Sequence, residues 1–270
     1  MFLLPDRVER LSPDRLELQY EDVWLHAADG TRVHAWHLKA EGPREGTILF
    51  FHGNAQNNSA HIASVHWLPA QGFDVFMLDP RGYGQSDGEP HIRGVHLDAQ
   101  AALDHVADAA CGEIIVYGQS LGGAIGIHTV ARSPHAHCVR AVVSEGAFAS
   151  YRGIAREKLG MIWLTWPLQV PLSYLFSDRY SPARVVDQIS PVPLLIVHGT
   201  DDHIVPAHHA ERLYRAAEDP RDLWLLPDVG HIGSSLHEEN RARLVGWLVA
   251  ALNGDRSLAA EKPAPADAAN

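Results

Sequence analysis

The sequence has few cysteines, no excess of positive charge and no long hydrophobic run, and each absence excludes a class of protein. Two cysteines among 270 residues, Cys111 and Cys138, are too few for the disulfide framework of a small secreted domain. They show no C-x-x-C spacing, so neither zinc nor redox chemistry is expected of them, and we interpret them as unpaired thiols unless the protein is exported. The 22 Lys and Arg against 33 Asp and Glu give a net charge of −11, which argues against a nucleic-acid partner, because phosphate backbones bind basic surfaces.

Hydrophobic runs of membrane-spanning length are missing as well. The uncharged stretch at residues 161–176 is shorter than the roughly 20 residues needed to cross a bilayer, and Pro167 and Pro171 interrupt it. The apolar run at residues 2–4 is too short for the core of a signal peptide. We therefore expect no integral membrane segment and a cytoplasmic protein, or a periplasmic or membrane-anchored one if an N-terminal signal has been removed.

What is present fits one α/β domain. An apolar content of 46% over 270 residues is enough for a sizeable core. Apolar and polar residues alternate on both sides of Asp29 and Gly30, which predicts an antiparallel hairpin. Buried strands are then predicted at residues 47–51, 74–78, 113–117, 140–144, 193–197 and 222–226. Helices are predicted at residues 59–70, 95–109, 121–131, 207–217 and 236–252. This alternation predicts a mostly parallel central sheet with helices on both faces.

One interval breaks the alternation of strand and helix. Residues 149–190 are too long for a simple crossover and rich in Trp, Leu, Tyr and Phe, so we interpret them as a small helical cap inserted into a single domain at residues 1–253. Residues 254–270 are rich in Ala, Pro and Asp without periodicity, and we predict a disordered tail.

A candidate nucleophile follows the third buried strand of this series. Residues 118–122 read G-Q-S-L-G between a predicted strand and a predicted helix, which is the context in which G-x-S-x-G lifts a serine hydroxyl above a sheet. The helix N-terminus supplies positive potential there, and the N–H of Leu121 points to a developing oxyanion. Ser120 is therefore the predicted nucleophile.

A serine at its ordinary pKa needs a base and an acid that orients the base. His231 follows the last strand at the same carboxyl edge, whereas His237 falls inside the predicted final helix, so we prefer His231. Asp201 and Asp202 both follow the strand at 193–197, and spacing alone does not separate them; Glu145 is a third candidate for the acid. The second oxyanion donor is expected to be the N–H of Asn54, after the first buried strand.

Together these motifs resemble the α/β-hydrolase superfamily, and within it the single-domain serine hydrolases of the serine-aminopeptidase-like and depalmitoylase-like group. The motifs that carry the resemblance are H-G-N at 52–54, D-P-R-G-Y-G-Q-S at 79–86, G-Q-S-L-G-G at 118–123, H-G-T-D-D-H-I-V-P at 198–206 and G-H at 230–231. In H-G-x-x-D-x-x-V-P the acid of the family is the fifth residue, which is Asp202 here, so the resemblance favours Asp202 over Asp201. The segment at 79–86 is expected to be architectural, with Arg81 pairing to Asp79.

The resemblance implies a hydrolase that needs no cofactor or metal and cleaves carboxylic esters or thioesters through Ser120, His231 and Asp202 by an acyl-enzyme. An aminopeptidase-like amide hydrolase is the first alternative, with Glu145, Glu157 and Asp178 as candidate partners for a free amino group. The second is a ligand-binding protein that has the fold but little or no turnover. The expected partner is a small-molecule ester or acyl compound, and the sequence does not predict the oligomeric state.

The cap and the histidines complete the predicted site. Five apolar residues of the cap are candidates for an acyl-binding pocket, or simply pack the cap onto the sheet: Trp163, Leu164, Trp166, Leu172 and Phe176. Of the 18 histidines, only His231 is assigned chemistry, while His52 and His198 are expected to brace the loops beside the site. The remaining histidines show no metal-binding spacing, and we expect them on the solvated surface. Because His231 acts as a base, activity is expected to fall below about pH 6 to 7.

Overall fold

The computed structural model describes residues 3–161 and 165–255. Its strands are β1 (Leu4–Pro5), β2 (Tyr20–His26), β3 (Arg32–Leu38), β4 (Gly46–Phe51), β5 (Ala55–Gln56), β6 (Phe73–Asp79), β7 (Ile114–Gln119), β8 (Val139–Glu145), β9 (Leu194–Gly199) and β10 (Arg221–Leu226). Its α-helices are α1 (Asn58–His61), α2 (Ile92–Ala110), α3 (Leu121–Arg132), α4 (Tyr151–Gly160), α5 (Gln169–Ser173), α6 (His208–Ala216) and α7 (Glu238–Leu252). Short 3₁₀ helices lie at Pro13–Leu16, Ile62–Ser64, Pro69–Gln71, Ala136–Cys138, Trp166–Leu168, Pro182–Arg184, Val186–Ile189 and Ser234–Leu236.

Eight strands form one mixed sheet in the order β10-β9-β8-β7-β4-β6-β3-β2. β6, β4, β7, β8, β9 and β10 are parallel to one another. The predicted hairpin is antiparallel with Tyr20 opposite Leu38, and β3 also runs antiparallel to β6. The predicted fold class is confirmed: a mostly parallel central sheet with an N-terminal antiparallel hairpin, covered by helices and carrying short cap helices.

The sheet is buried on both faces, which explains why its strands lack polar alternation. Along β7, Ile114 and Val116 join a core cluster that includes side chains of α2, α3 and α6. Ile115 and Tyr117, which point the other way, join a second cluster with α7 and the segment around Ile62. Because all the parallel strands end at one edge, the loops after β4, β7, β9 and β10 gather there.

Two predicted helices differ from the observed ones. The helix expected at 59–70 is only the short α1 followed by 3₁₀ turns. The His66 ring lies 3.0 Å from the Ala63 carbonyl, and the indole N–H of Trp67 donates to the Ser64 carbonyl, so side chains bond carbonyls in place of a continuous helical ladder. The last helix begins at Glu238 rather than Leu236, and His237 occupies its N-cap position instead of lying inside the helix.

The two cysteines are joined, so the expectation of unpaired thiols is wrong. Cys111 directly follows α2 and Cys138 precedes β8, and their Cα atoms lie 4.4 Å apart in a disulfide. The bond lies at the amino ends of β7 and β8, opposite to the edge at which these strands end. Cys111 and Cys138 precede β7 and β8, which pair with each other in the sheet, and this proximity permits the bond.

The remaining predictions about organisation concern the cap, the tail and the membrane. Helices α4 and α5 lie within the interval 149–190, as expected of a helical cap. The predicted tail falls outside the described residues from residue 256 onward. Among the helices that the structure describes, none combines the length and the apolar character required to traverse a bilayer.

Candidate active site

Ser120 lies in the turn between β7 and α3, in a backbone conformation that non-glycine residues rarely adopt. Its φ is 54° and its ψ is −114°. The backbone N–H of Ser120 donates to the Glu145 carbonyl over 2.8 Å, which ties the turn to β8. A side chain at Gly118 would overlap the backbone of Gly122, and one at Gly122 would overlap the backbone at Phe51, so both glycines are required by close packing. The backbone conformation of Ser120 costs roughly 1 to 3 kcal/mol of strain, and it persists because the surrounding structure enforces it.

Asp202 and His231 form a hydrogen-bonded pair at the carboxyl ends of β9 and β10. The Nδ1–H of His231 donates to Asp202 Oδ2 over 2.6 Å. A carboxylate accepts only, so this bond places the remaining lone pair of a neutral imidazole on Nε2, where a base needs it. Asp202 Oδ1 accepts the backbone N–H groups of Ile204 and Val205, each at 2.8 Å, which fixes the orientation of the carboxylate.

The acidity of Asp202 follows from these contacts. Burial by itself would raise the pKa of Asp202, but hydrogen bonds from His198, His231 and the Val205 N–H hold that pKa well below its usual range. His198 Nε2 lies 2.7 Å from the Val205 carbonyl and 3.2 Å from Asp202 Oδ2, so it braces the acid loop in the way expected. The Asp202 carboxylate is thus ionised at neutral pH.

The other candidates for the acid have different partners. Asp201 is exposed, and its Oδ1 accepts the Thr200 hydroxyl over 3.4 Å. Glu145 is buried and accepts hydrogen bonds from the Tyr117 hydroxyl at 2.5 Å, from Gln119 at 2.8 Å and from the backbone N–H of Ser234 at 3.0 Å. Its carboxylate therefore joins β7, β8 and the loop after His231.

Ser120 and His231 both adjoin the segment that follows β8. The carbonyl of Glu145 accepts from the N–H of Ser120, and the next residue, Gly146, lies beneath the His231 ring. A Cβ atom at Gly146 would lie 3.4 Å from both Cε1 and Nδ1 of that ring. Gly146 also has φ of +61°, so a side chain at this position is disfavoured by backbone conformation as well.

The loop after β4 carries Asn54 beside Ser120. The Tyr83 hydroxyl donates to the Asn54 carbonyl over 2.8 Å, and the ring of His52 stacks on that of His61 with centroids 5.0 Å apart. His52 Nδ1 lies 2.7 Å from the Gly53 carbonyl, so His52 braces this loop as expected. Leu121, whose N–H is the other candidate oxyanion donor, is the first residue of α3.

The segment at 79–86 is architectural, but not through the pair that was predicted. Arg81 bonds Asp98 and Asp29, with its Nη2 2.8 Å from Asp98 Oδ1 and its Nη1 2.7 Å from Asp29 Oδ2. Asp79 instead accepts the N–H of Asn58 at 2.8 Å and lies 3.3 Å from His52 Nε2. Asp79 is thus directed toward the loop after β4, and its expected pairing with Arg81 is wrong.

A largely apolar pocket of about 310 Å³ opens above Ser120. Its lining combines Ser120 and both candidate oxyanion residues with side chains from the cap and from the loop that carries Asp202: Asn54, Ser120, Leu121, Phe148, Ile154, Ala155, Lys158, Leu159, Phe176, Ile204 and Val205. Of the five cap residues predicted to line a pocket, Phe176 does so. Trp166 is 60% exposed and, like Leu172, is absent from this lining, while Trp163 and Leu164 lie outside the described residues.

Comparison with known proteins identifies the family. A family model described as serine aminopeptidase, S33, matches residues 42–181. The uncharacterized protein YfhR of Escherichia coli is 38% identical over 244 residues, which cover 86% of this chain and 82% of that protein. The α/β hydrolase domain-containing protein WAV2 of Arabidopsis thaliana is 37% identical over 227 residues, covering 78% and 71%.

The chain belongs to the serine aminopeptidase S33 family of α/β-hydrolases. Among solved structures, the Pyrococcus furiosus esterase Pf2001 superposes with a TM-score of 0.72 at 20% identity, covering 92% of this chain and 96% of that one. At that identity the likeness shows the α/β-hydrolase fold. The family membership and the fold agree with the resemblance carried by the motifs, and they make this chain a hydrolase.

Most of the apolar pocket residues were missed from the sequence, although it contains a signal for them. Ile154, Ala155 and Leu159 recur on one face of α4 with helical spacing, which marks the buried face of a cap helix. Ile204 and Val205 lie within the motif that supplies Asp202 and so are carried to the site with it. Of the cap residues predicted to line the pocket, Phe176 does so, together with the apolar face of α4.

Several histidines expected on the surface are buried. His34, His61, His96 and His209 are at most 8% exposed, so the expectation of solvated histidines is wrong for them. His209 and His208 both face Glu157, each with Nε2 3.1 Å from a carboxylate oxygen. Because His209 Nδ1 accepts the N–H of Ala149 over 3.1 Å, a neutral His209 carries its proton on Nε2 and donates it to Glu157. These hydrogen bonds join α4 to α6, and they fit a structural role better than a metal site.

Proposed function

We propose that this hydrolase is a serine esterase that cleaves carboxylic esters or thioesters of small molecules through an acyl-enzyme. The observation that carries the proposal is the largely apolar pocket above Ser120, with the hydrogen-bonded His231 and Asp202 at the same sheet edge. An apolar pocket that ends at a serine suits an acyl chain whose carbonyl lies against the nucleophile. The structural likeness to the Pyrococcus furiosus esterase Pf2001 supports ester hydrolysis as the reaction.

In the proposed mechanism each residue has one role. His231 Nε2 takes the proton of Ser120 Oγ as that oxygen attacks the carbonyl carbon, and the N–H groups of Asn54 and Leu121 bind the resulting oxyanion. The tetrahedral intermediate collapses, the imidazolium gives its proton to the departing alcohol or thiol, and the acyl group stays on Ser120. Water, deprotonated by His231, then attacks the acyl carbon, and the imidazolium returns the proton to Ser120 Oγ as the bond to the acid breaks. Asp202 holds the His231 tautomer and stabilises its charged form throughout.

The alternative of amide hydrolysis at a free amino terminus has less support from the pocket. Glu145, Glu157 and Asp178, the acidic candidates for an amino-group partner, are absent from the lining, and the charged side chain there is Lys158. A cationic side chain repels a protonated amine and suits a neutral or anionic acyl group. Esters are therefore favoured over aminoacyl amides as substrates.

Substitution of the nucleophile tests the proposal. We expect Ser120→Ala to lower kcat/KM on p-nitrophenyl butyrate by at least about a thousandfold, and to abolish labelling by a fluorophosphonate probe. Ser177, an exposed serine of the cap, offers a matched control, because Ser177→Ala removes a serine hydroxyl that does not line the pocket. Retained activity in Ser120→Ala would exclude the mechanism, and a wild-type protein that neither labels nor turns over would support a ligand-binding role.

A second comparison separates ester from amide chemistry. The same acyl group is offered as a p-nitrophenyl ester and as a p-nitroanilide, together with an aminoacyl p-nitroanilide that carries a free amino group. Faster turnover of the esters, with a burst of p-nitrophenol before the steady state, is the expected result. Preferential turnover of the aminoacyl compound would overturn the ester assignment while keeping Ser120 as the nucleophile.

A further inference from the structure

A second cleft, of about 460 Å³, lies beside the cap and shares no lining residue with the pocket above Ser120. Four arginines line it: Arg132 at the end of α3, Arg152 in the first turn of α4, and Arg179 and Arg184 in the segment that leads toward β9. This concentration of positive charge is unusual in a chain whose net charge is −11. It has no role in the proposed ester hydrolysis.

Among the residues that the structure describes, none of these four guanidinium groups forms an ion pair with an acid, although the positive charge of Arg152 helps to lower the pKa of Asp178. Across residues 3–161 and 165–255, no hydrogen bond or ion pair joins any of them to an acceptor, and the Nε of Arg152 is buried without one. The buried Arg81 shows the contrast, since it is matched by Asp98 and Asp29. Arg152 lies over the Tyr174 ring at 4.6 Å, and Arg179 lies 5.8 Å from the Tyr180 ring centroid, so two of the four are held by aromatic faces.

The acid in the cleft lining, Asp178, is already engaged. Its Oδ1 accepts the hydroxyls of Ser150 at 2.8 Å and Ser181 at 2.6 Å, and the backbone N–H of Arg152 at 3.0 Å. Counting its charge against the four arginines leaves the lining with a net charge of about +3.

The pKa of the neighbouring His128 reflects this excess of positive charge. Burial, together with the positive charges of Arg132 and Arg179, lowers the pKa of His128 to about 4. Like charges held close together repel one another, and an anion in the cleft would relieve that repulsion.

We propose that this cleft binds a phosphate-bearing anion. The planar fork of an arginine matches two phosphate oxygens at once, and several guanidinium groups around one space suit a ligand with two or more negative charges. The phosphate comes either from a soluble phosphorylated compound or from the head group of an anionic lipid, and the chemistry recognised is the same.

The test measures binding to the full chain by isothermal titration calorimetry, with inorganic phosphate and pyrophosphate as probes at constant ionic strength set with chloride. Vesicles of phosphatidylglycerol in phosphatidylcholine form the second arm, read by co-sedimentation. We expect saturable binding in at least one arm, weakened about tenfold or more by the double substitution Arg179→Gln and Arg184→Gln, both at exposed positions.

Arg156→Gln is the matched control, because Arg156 lies on α4 one turn after Arg152, is exposed, and does not line the cleft. Binding of soluble phosphate that survives in Arg156→Gln and is lost in the double variant supports a site for soluble ligands. The same pattern in the vesicle arm alone supports a lipid head group. The proposal is overturned if neither arm shows saturable binding, or if Arg156→Gln and the double variant weaken it equally. Circular dichroism of each variant verifies that the fold is retained.

Discussion

The hydroxyl of Tyr83 donates a hydrogen bond to the carbonyl of Asn54 across 2.8 Å, and so joins the turn after β6 to the loop after β4. Tyr83 is 1% exposed, and burial raises the pKa of its phenol above its ordinary value, so the group is a neutral donor at all working pH values. The bond holds the residue whose N–H is the proposed oxyanion donor. In the proposed mechanism Tyr83 is therefore a positioning residue, which contacts the loop after β4 and acts through Asn54.

Tyr83→Phe is expected to lower kcat about three- to tenfold while leaving KM nearly unchanged, because a loosened Asn54 weakens oxyanion binding in the transition state more than substrate binding. Loss of the hydrogen bond costs about 1 kcal/mol of stability. Tyr20→Phe makes the same change on β2, where the hydroxyl donates to Asp14, and should leave kcat unaltered. A Tyr83→Phe protein with lowered Tm but wild-type kcat would reduce Tyr83 to a structural role.

Asp202→Asn tests which of two adjacent aspartates serves His231. The amide is almost the same size, but it no longer stabilises the imidazolium and its NH₂ favours the wrong tautomer, so kcat is expected to fall by roughly a thousandfold or more. Asp201→Asn is a matched control one residue away, at an exposed position, and should retain activity within about twofold. Steady-state rates on one p-nitrophenyl ester decide the matter, and equal losses in both variants would contradict the assignment.

The proposed binding of an acyl chain in the pocket above Ser120 is tested at a residue of the cap segment. Phe176 is half-buried and lines the pocket, so Phe176→Ala should enlarge the space and shift the preferred p-nitrophenyl ester toward longer chains. Each additional buried methylene is worth about 0.8 kcal/mol, or roughly a fourfold gain in kcat/KM per carbon accommodated. Tyr174→Ala removes an aromatic ring two residues away that is 67% exposed and lies outside the pocket. An unchanged chain-length profile in Phe176→Ala would place the acyl chain elsewhere.

The sequence was informative where chemistry depends on short-range pattern. Ser120, Asp202 and His231 each follow a strand in a local motif, and parallel strands carry their following loops to one edge, so pattern and topology together predict their proximity. Pairings between distant segments were not predictable in this way. Arg81 had a nearby acid in Asp79 and a distant one in Asp98, and only the packing of α2 against the sheet brings Asp98 within 2.8 Å.

The same limit explains the histidines and the cap. From the sequence, His96 is one polar residue on a helix. It is covered in part by the ring of Tyr180, which lies 84 positions further along the chain and stacks on it with centroids 4.5 Å apart. Periodicity predicts an apolar face on α4. Whether that face lies over Ser120 depends on the angle at which the inserted helices cross the sheet edge. Local sequence patterns do not predict that angle.

Buried neutral histidines make stability sensitive to acid, and His96 gives the clearest case. Burial, reinforced by the nearby His128, lowers the pKa of His96 to about 3, whereas the ordinary value is 6.5. Between these values the unfolded chain binds a proton that the folded one refuses, so the stability contribution is complete above pH 6.5 and declines as the pH falls toward 3. At pH 5 a loss of about 2 kcal/mol is expected from this histidine.

His96→Phe keeps an aromatic ring against Tyr180 and removes the titrating group, so its Tm should fall less between pH 7 and pH 5 than that of the wild type. His61 and His128, whose pKa values burial also lowers to about 4, remain and continue to contribute a part of the acid sensitivity. His26→Phe, at an exposed position on β2, is the control and should follow the wild-type curve. Thermal melts at half-unit pH steps measure the difference, and parallel curves for wild type and His96→Phe would show that His96 takes up its proton in the folded state.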